Sequence, residues 1–308
     1  MHVLVTGGAG FIGSHTVETL LEAGLFVRVL DNFSSGKQHY LPAHSNLEIL
    51  VGDIREARDV ARAMDGITHV LHLAAQVSVQ ASVEDPSTSC AQNILGFVTV
   101  LHAAVTHQVR RFVYASSAAV YGTPERVPIA EEDPIQPISP YGLEKYVNEQ
   151  YAALFRTIYG LSSLGLRYFN VYGPRQDARS PYAGVISKFL DCLRQGEPLT
   201  VFGDGAQTRD FIFVKDIARA NYAALTSEQV GVCNVATGQS WTLLQLIETL
   251  CTCAGEEVTV RYEPARTGDI RHSEAKVERL RSWLAVSRTT SLAEGIHELL
   301  HATCSTRA

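Results

Sequence analysis

The chain has 308 residues, 46% of them hydrophobic and 19% charged, with a formal net charge of −6. That length reaches the usual upper limit for a single hydrophobic core, so two unequal lobes are expected. A pI near 6.0 and the lack of a basic stripe exclude the phosphate-neutralising surface that nucleic-acid binding requires.

Met1 to Thr6 enter an apolar strand at once, which leaves no room for a secretion leader, and no run of about 18 apolar residues follows. A cytosolic protein that does not engage a membrane is expected. Short apolar runs then alternate with helical spacing. Val3 to Val5, Phe26 to Leu30, Leu47 to Val51, Val70 to Leu73, Arg111 to Ala115 and Ser163 to Tyr168 read as strands. Helices are expected over Phe11 to Glu22, Glu56 to Met64, Thr88 to His107 and Tyr141 to Ile158. This alternation predicts an α/β fold with a Rossmann-type, doubly wound parallel sheet covered on both faces.

After Asn170 the loops lengthen. A helix is expected around Ala183 to Arg194, a turn at Gly203 to Gly205, and helices near Leu243 to Cys253 and Leu292 to His301. These form a smaller α/β substrate lobe, while Asp216 to Leu225 and Val232 to Ala236 are expected to return to the first. The lobes therefore interleave. Residues 1–170 plus about 211–236 make the dinucleotide domain, and 171–210 with 237–308 make the substrate domain.

The loop Thr6-Gly7-Gly8-Ala9-Gly10-Phe11-Ile12-Gly13 joins the first strand to the first helix. Gly7 permits the tight turn, Gly10 lets the backbone of Phe11 and Ile12 approach a pyrophosphate, and Gly13 lets helix and strand pack closely. A bare strand-to-helix turn has the same glycines. What weighs against it is Asp31-Asn32 at the end of the next strand, where an acid can bind both ribose hydroxyls of an adenosine and would repel a 2′-phosphate. NAD rather than NADP is expected. Asp53 and Ile54, ending the third strand, are placed to meet the adenine.

Tyr141 and Lys145 stand one helical turn apart behind Ser139-Pro140, a helix start, so the phenol and ammonium share a face near the positive end of the helix dipole. A tyrosine titrates near 10; acting as a base near neutrality requires lowering that by about three units, roughly 4 kcal/mol. One unit charge at about 4 Å supplies about that much at an effective dielectric near 20. Lys145 and an oxidised nicotinamide ring are the two expected charges. Ser117, in Tyr114-Ala115-Ser116-Ser117-Ala118-Ala119-Val120-Tyr121-Gly122 at a strand end, is positioned to relay the proton. The six cysteines are scattered and read as buried free thiols, and the eleven histidines show no ligand spacing, so no metal is expected.

Together these residues resemble the extended short-chain dehydrogenase/reductase family and, within it, the nucleotide-sugar 4-epimerases. The resemblance extends through Leu73-Ala74-Ala75, Asn93-Ile94-Leu95-Gly96, Arg167-Tyr168-Phe169-Asn170-Val171-Tyr172-Gly173-Pro174-Arg175-Gln176, Gly203-Asp204-Gly205 and Thr208-Arg209-Asp210-Phe211-Ile212. It implies Ser117, Tyr141 and Lys145 as the catalytic set, with Leu73, Ala74, Ala75, Asn93 and Tyr168 also meeting the cofactor. It implies that Asn170, Arg209, Arg266 and Asp269 grip a nucleotide diphosphate or its ribose, and that Ser273 stands where relatives restricted to plain hexoses carry tyrosine. UDP-galactose epimerases have a lysine in place of Val77, and Lys276 replaces a usual aspartate. The acidic residues that sister dehydratases and decarboxylases place at Ala118 and Ala119 are missing.

The resemblance implies a 4-epimerase with tightly bound NAD, regenerated each turnover, acting on UDP-N-acetylglucosamine and secondarily UDP-glucose. It also implies a homodimer formed through the helices around Thr88 to His107 and Tyr141 to Ile158. A UDP-uronate 4-epimerase or a 4-keto reductase shares nearly every motif. A non-catalytic NAD-sensing regulator is a rival of another class, against which the intact Tyr-x-x-x-Lys pair counts.

Overall fold

The computed structural model describes residues 1–177, 184–265 and 270–302. β1 (His2–Thr6) leads through the glycine loop into α1 (Phe11–Glu22), followed by β2 (Phe26–Asp31), β3 (Leu47–Val51), α2 (Ala57–Met64) and β4 (His69–His72). A second set of crossovers carries α3 (Val79–Glu84), α4 (Pro86–Cys90), α5 (Gly96–Thr106), β5 (Arg111–Ser117), α6 (Pro140–Tyr159) and β6 (Ser163–Tyr168). Beyond these come β7 (Asn170–Tyr172), α7 (Val185–Gln195), β8 (Leu199–Phe202), β9 (Thr208–Phe213), α8 (Val214–Thr226) and β10 (Gly231–Val235). The chain finishes with β11 (Ser240–Thr242), α9 (Leu243–Ala254), β12 (Val260–Glu263), α10 (Glu278–Leu284) and α11 (Leu292–Ala302).

Seven strands pair in the order β10-β6-β5-β4-β1-β2-β3, all parallel. The order reverses between β1 and β4, which opens a crevice at the carboxyl ends of those strands. Alternation along β1 sends Val3 and Val5 to one face, with α1, α8 and α10, and Leu4 to the other, with α2, α5 and the later turns of α6. Each such fully buried aliphatic side chain contributes roughly 1.5–3 kcal/mol. The expected doubly wound sheet is therefore present.

The smaller lobe holds a three-stranded sheet, β11-β9-β7, and a parallel pair, β12-β8. Its core joins Phe189 and Leu190 of α7, Val201, Phe213, Leu246 and Leu250 of α9, and Ile296 of α11. β9 runs straight into α8, which packs on α1 of the large sheet, and β10 adds to β6. The helix expected around Ala183 begins at Val185 among the described residues.

Two expectations change. The helix foreseen over Thr88 to His107 is α4 and α5 joined by a π-helical turn at Ala91–Leu95. Asn148 of α6 donates to the Asn93 carbonyl at 2.9 Å, and such a side chain entering the ladder disrupts regular α geometry. By length and composition Pro86–Thr106 is apolar enough to cross a bilayer, yet here it packs against α2 and α6. The cysteines also differ: Cys233 is buried, but Cys90 is exposed and Cys192, Cys251 and Cys253 are half-buried, all of them free thiols. Cys304 lies outside the described residues.

Candidate active site

The glycine loop is shaped for close contact. Gly7 has φ +72°, and a Cβ there would lie 2.7 Å from the Ala74 nitrogen; one on Gly13 would lie 2.1 Å from the Gly7 oxygen. Gly10 begins α1 without a side-chain cap, so the first-turn N–H groups of Phe11, Ile12 and Gly13 face the crevice uncapped. Asp31 is buried at the end of β2, where its carboxylate accepts from the Ala9 N–H at 2.9 Å and the Phe33 N–H at 2.8 Å. Asn32 donates to Asp53 at 3.2 Å, and the Arg55 guanidinium beside Asp53 holds that carboxyl down at about 2. Ile54 is buried against Gly96.

Across the crevice, Leu73 and Ala74 are fixed through N–H donation to the Thr6 carbonyl at 3.0 Å and the Thr6 hydroxyl at 3.3 Å, with Ala75 following. Asn93 pins the next residue, accepting from the Gln76 N–H at 2.8 Å and donating to the Gln76 carbonyl at 2.9 Å. Tyr168 ends β6 with its hydroxyl turned away, donating to Asn221 at 2.6 Å in the core. An uncapped helix start, a short acid at the second strand end and a loop too tight for side chains fit a dinucleotide without a 2′-phosphate.

α6 carries Tyr141 and Lys145. Ser139 caps it by accepting from the Gly142 N–H at 3.1 Å, and Pro140 stands in its first turn. A Cβ on Gly142 would lie 2.6 Å from the Ala119 carbonyl oxygen, so this glycine lets the helix start touch the turn after β5. The Tyr141 phenol is thereby brought near the Ser117 side chain, whose hydroxyl accepts from the Ala119 N–H at 3.1 Å. Lys145 is 3% exposed; its ammonium donates to the Ala115 carbonyl at 3.1 Å and lies 5.7 Å from the Tyr141 ring centroid.

On balance the protein's own groups oppose ionisation of the phenol rather than assist it. Burial pushes the Tyr141 phenol above its ordinary value, with the Glu144 carboxylate adding to the rise and Ser117 opposing it. Lys145, aimed at Ala115 rather than at the phenol, is itself pushed down to about 8 by burial, against the pull of Glu144. The protein by itself thus favours a neutral tyrosine. Helical spacing placed both groups on one face but carried no information on where the ammonium points.

Glu144 escaped the sequence reading, although it adjoins Lys145. It accepts from Ser89 at 2.9 Å and from the Asn93 amide at 2.6 Å. Glu149, one turn beyond Lys145, also went unnoticed; it forms a buried bidentate pair with Arg167 at 2.7 and 2.8 Å and accepts from Ser116 at 2.6 Å.

Of the residues expected to hold substrate, Asn170 donates to the Asp210 carbonyl at 3.0 Å, which sets it beside β9, and Arg209, within β9, donates to the Thr208 carbonyl at 2.9 Å. The segment carrying Ser273 runs along the same strand: the Thr208 N–H donates to the Arg271 carbonyl at 3.0 Å, and the Ser273 N–H to the Thr208 carbonyl at 3.2 Å. Arg271 forms a bidentate pair with Asp204 at 2.7 Å. Arg266 and Asp269 lie outside the described residues.

Comparison with known proteins agrees with this geometry. Residues 3–236 match the model of the NAD dependent epimerase/dehydratase family. A UDP-glucose 4-epimerase of Mycolicibacterium smegmatis is 38% identical over 302 residues, 96% of either chain. Among solved structures, a UDP-N-acetylglucosamine 4-epimerase from Methanobrevibacter ruminantium, in complex with UDP-N-acetylmuramic acid, superposes with a TM-score of 0.94 at 39% identity. That match covers 99% of this chain and 98% of the other. A Thermotoga maritima UDP-glucose 4-epimerase with UDP-glucose gives 0.95 at 38% identity, covering 100% of both. With loop, acid, strand-end serine and Tyr-x-x-x-Lys helix in one crevice, the chain belongs to the NAD-dependent epimerase/dehydratase family, within the extended short-chain dehydrogenases/reductases.

Proposed function

We propose that the protein is an NAD-dependent UDP-sugar 4-epimerase that interconverts UDP-N-acetylglucosamine and UDP-N-acetylgalactosamine, with UDP-glucose and UDP-galactose as secondary substrates. The observation that carries this reading is the Tyr141 phenol set near Ser117, with only Ala118 and Ala119 following that serine. Epimerisation needs one proton removed and returned, whereas loss of water or carbon dioxide calls for a further acid or base. Tyr141, through Ser117, takes the proton of the sugar 4-hydroxyl as the C4–H bond breaks, and later returns it to the same oxygen. When bound, NAD supplies the acceptor for the C4 hydride and a positive ring beside the phenol. Arg209, with Arg266, grips the diphosphate, since a guanidinium binds phosphate oxygens in a fork. That tether lets the 4-keto sugar turn over between the two half-reactions, so that hydrogen returns on the opposite face.

Ser273 supports the acetamido preference. Its backbone is tied to Thr208 beside Arg209, and its side chain is smaller than the tyrosine that relatives restricted to plain hexoses carry there. Incubation with UDP-GlcNAc, UDP-glucose and UDP-glucuronate, with products resolved, tests the whole reading. Wild type is expected to convert the first fastest, and Ser273→Tyr to lose that activity selectively. A dehydrated or decarboxylated product, or equal loss on both sugars, overturns it.

We also propose a homodimer. Leu95, Leu143, Leu154, Ile158 and Tyr159 are exposed apolar residues on the π turn and α6, and a second copy would cover them in a four-helix contact. Sedimentation of Leu154→Glu against wild type tests this, a shift to monomer being the expected result.

A further inference from the structure

Glu144 stands between the two proposed working groups of α6, next to Lys145 and three residues after Tyr141, and is 3% exposed. A carboxylate so buried is normally paired with a cation, because the burial of an ion is costly. Here the adjoining cation, Lys145, donates to the Ala115 carbonyl instead. The donors on Glu144 are both neutral: the Ser89 hydroxyl at 2.9 Å and the Asn93 amide at 2.6 Å. Asn93 is in turn bound through its side-chain oxygen to the Gln76 N–H and through its carbonyl to Asn148. A second buried acceptor, Asn148 Oδ1, finds no donor beside it. The contact between α6 and the π turn is thus rich in acceptors and carries one net negative charge.

We propose that Glu144 is a positioning and charge-setting residue: its carboxylate ties the Tyr141–Lys145 turn to Asn93 and the end of β4, and sets one negative charge against both groups. The tie fixes the helix relative to the strand end from which the crevice opens. The charge holds Lys145 cationic and opposes ionisation of the Tyr141 phenol. Ser117 from β5 and Lys145 from α6 stand beside that phenol, α3 contributes the Ser82 hydroxyl, bound to the Tyr141 N–H at 3.1 Å, and Glu144, held by Ser89 and Asn93, acts on it through space. The electrostatic result is a base that stays protonated until positive charge enters the crevice, so free protein does not carry an idle phenolate.

The inference rests on Tyr141 as the proposed base, and its test needs no sugar. Phenolate absorbance of the NAD complex is titrated for wild type and Glu144→Gln, with Tyr141→Phe subtracted in each background to isolate one ring among twelve tyrosines. Glutamine keeps an acceptor for Ser89 and Asn93 while removing the charge. The expected result is a phenol titration moved to lower pH by about one unit, tenfold in phenolate fraction below its midpoint. Because Lys145 loses the same support, the whole pH profile of turnover moves toward acid rather than merely shrinking. Glu144→Ala, which also cuts the tie, is expected to add a lower melting temperature and a fall in kcat. An unmoved titration with Glu144→Gln, or one moved toward alkali, overturns the charge-setting role even if epimerase activity is present. Loss of activity from the wild type on every sugar would strike the proposed function and leave this titration standing.

Discussion

Two carboxylates of helix α6, Glu144 and Glu149, are buried to nearly the same degree, 3% and 5% exposed, and meet opposite surroundings. Glu149 is closed off electrostatically by Arg167, whose guanidinium also donates to the Tyr121 hydroxyl at 2.8 Å and the Glu131 carbonyl at 3.1 Å. Among the described residues Glu144 receives only a hydroxyl and an amide. The first arrangement braces helix α6 against strands β5 and β6. The second leaves charge uncancelled beside Tyr141 and Lys145, the groups proposed to change protonation. Within one helix, compensation marks the frame and its absence marks the site.

The sharpest way to break the comparison is at the site. Tyr141→Phe removes the hydroxyl and keeps the ring, so turnover is expected to fall by about a hundred- to ten-thousandfold while the melting temperature and NAD content stay near wild type. Product formation against retained cofactor is the measurement, and an active phenylalanine variant would end the base assignment. In the frame the balance inverts. Glu149→Ala leaves Arg167 buried and unpaired, which should cost about 3–5 kcal/mol in urea unfolding. The double replacement Glu149→Leu/Arg167→Met should recover most of it, because no charge is then stranded.

The third prediction concerns stability against pH. Lys145 has its folded value lowered from 10.5 to about 8, so burial of its charge opposes folding wherever the ammonium is protonated. Between those two values the unfolded chain binds more protons than the folded one, and stability should rise with pH. Lys145→Met is therefore expected to stabilise the apoprotein by roughly 2–3 kcal/mol near neutrality, a gain that fades from about pH 8 toward 10.5. Thermal melts across that range check it. A variant less stable at neutral pH would show that the Ala115 hydrogen bond outweighs the burial.

Much of this was legible before any coordinates. The parallel sheet follows from runs such as Phe26 to Leu30 bounded by helical spacing, and the dinucleotide loop from glycines whose missing Cβ atoms the geometry explains. Tyr141, Ser117 and Lys145 were placed together because four-residue helical spacing and a strand end are local facts. The small lobe was less readable: β7 and β11 have three residues each, too few to show a period, and gain their pairing from β9. Nor does spacing reveal a partner far along the chain. Glu144 draws its meaning from Ser89 and Asn93, more than fifty residues away, and the ammonium of Lys145 from a carbonyl on β5.

The route of the chain between its lobes bears on synthesis as well as on shape. β10 borders the large sheet at β6, but it is made only after β7, β8 and β9 have been laid down in the other lobe. A product released before Gly231 would present β6 as a raw border, its row of amides and carbonyls open to any neighbouring copy. Quality control on a crowded ribosome would therefore meet the hazard late, with most of the nucleotide half already assembled and one strand missing.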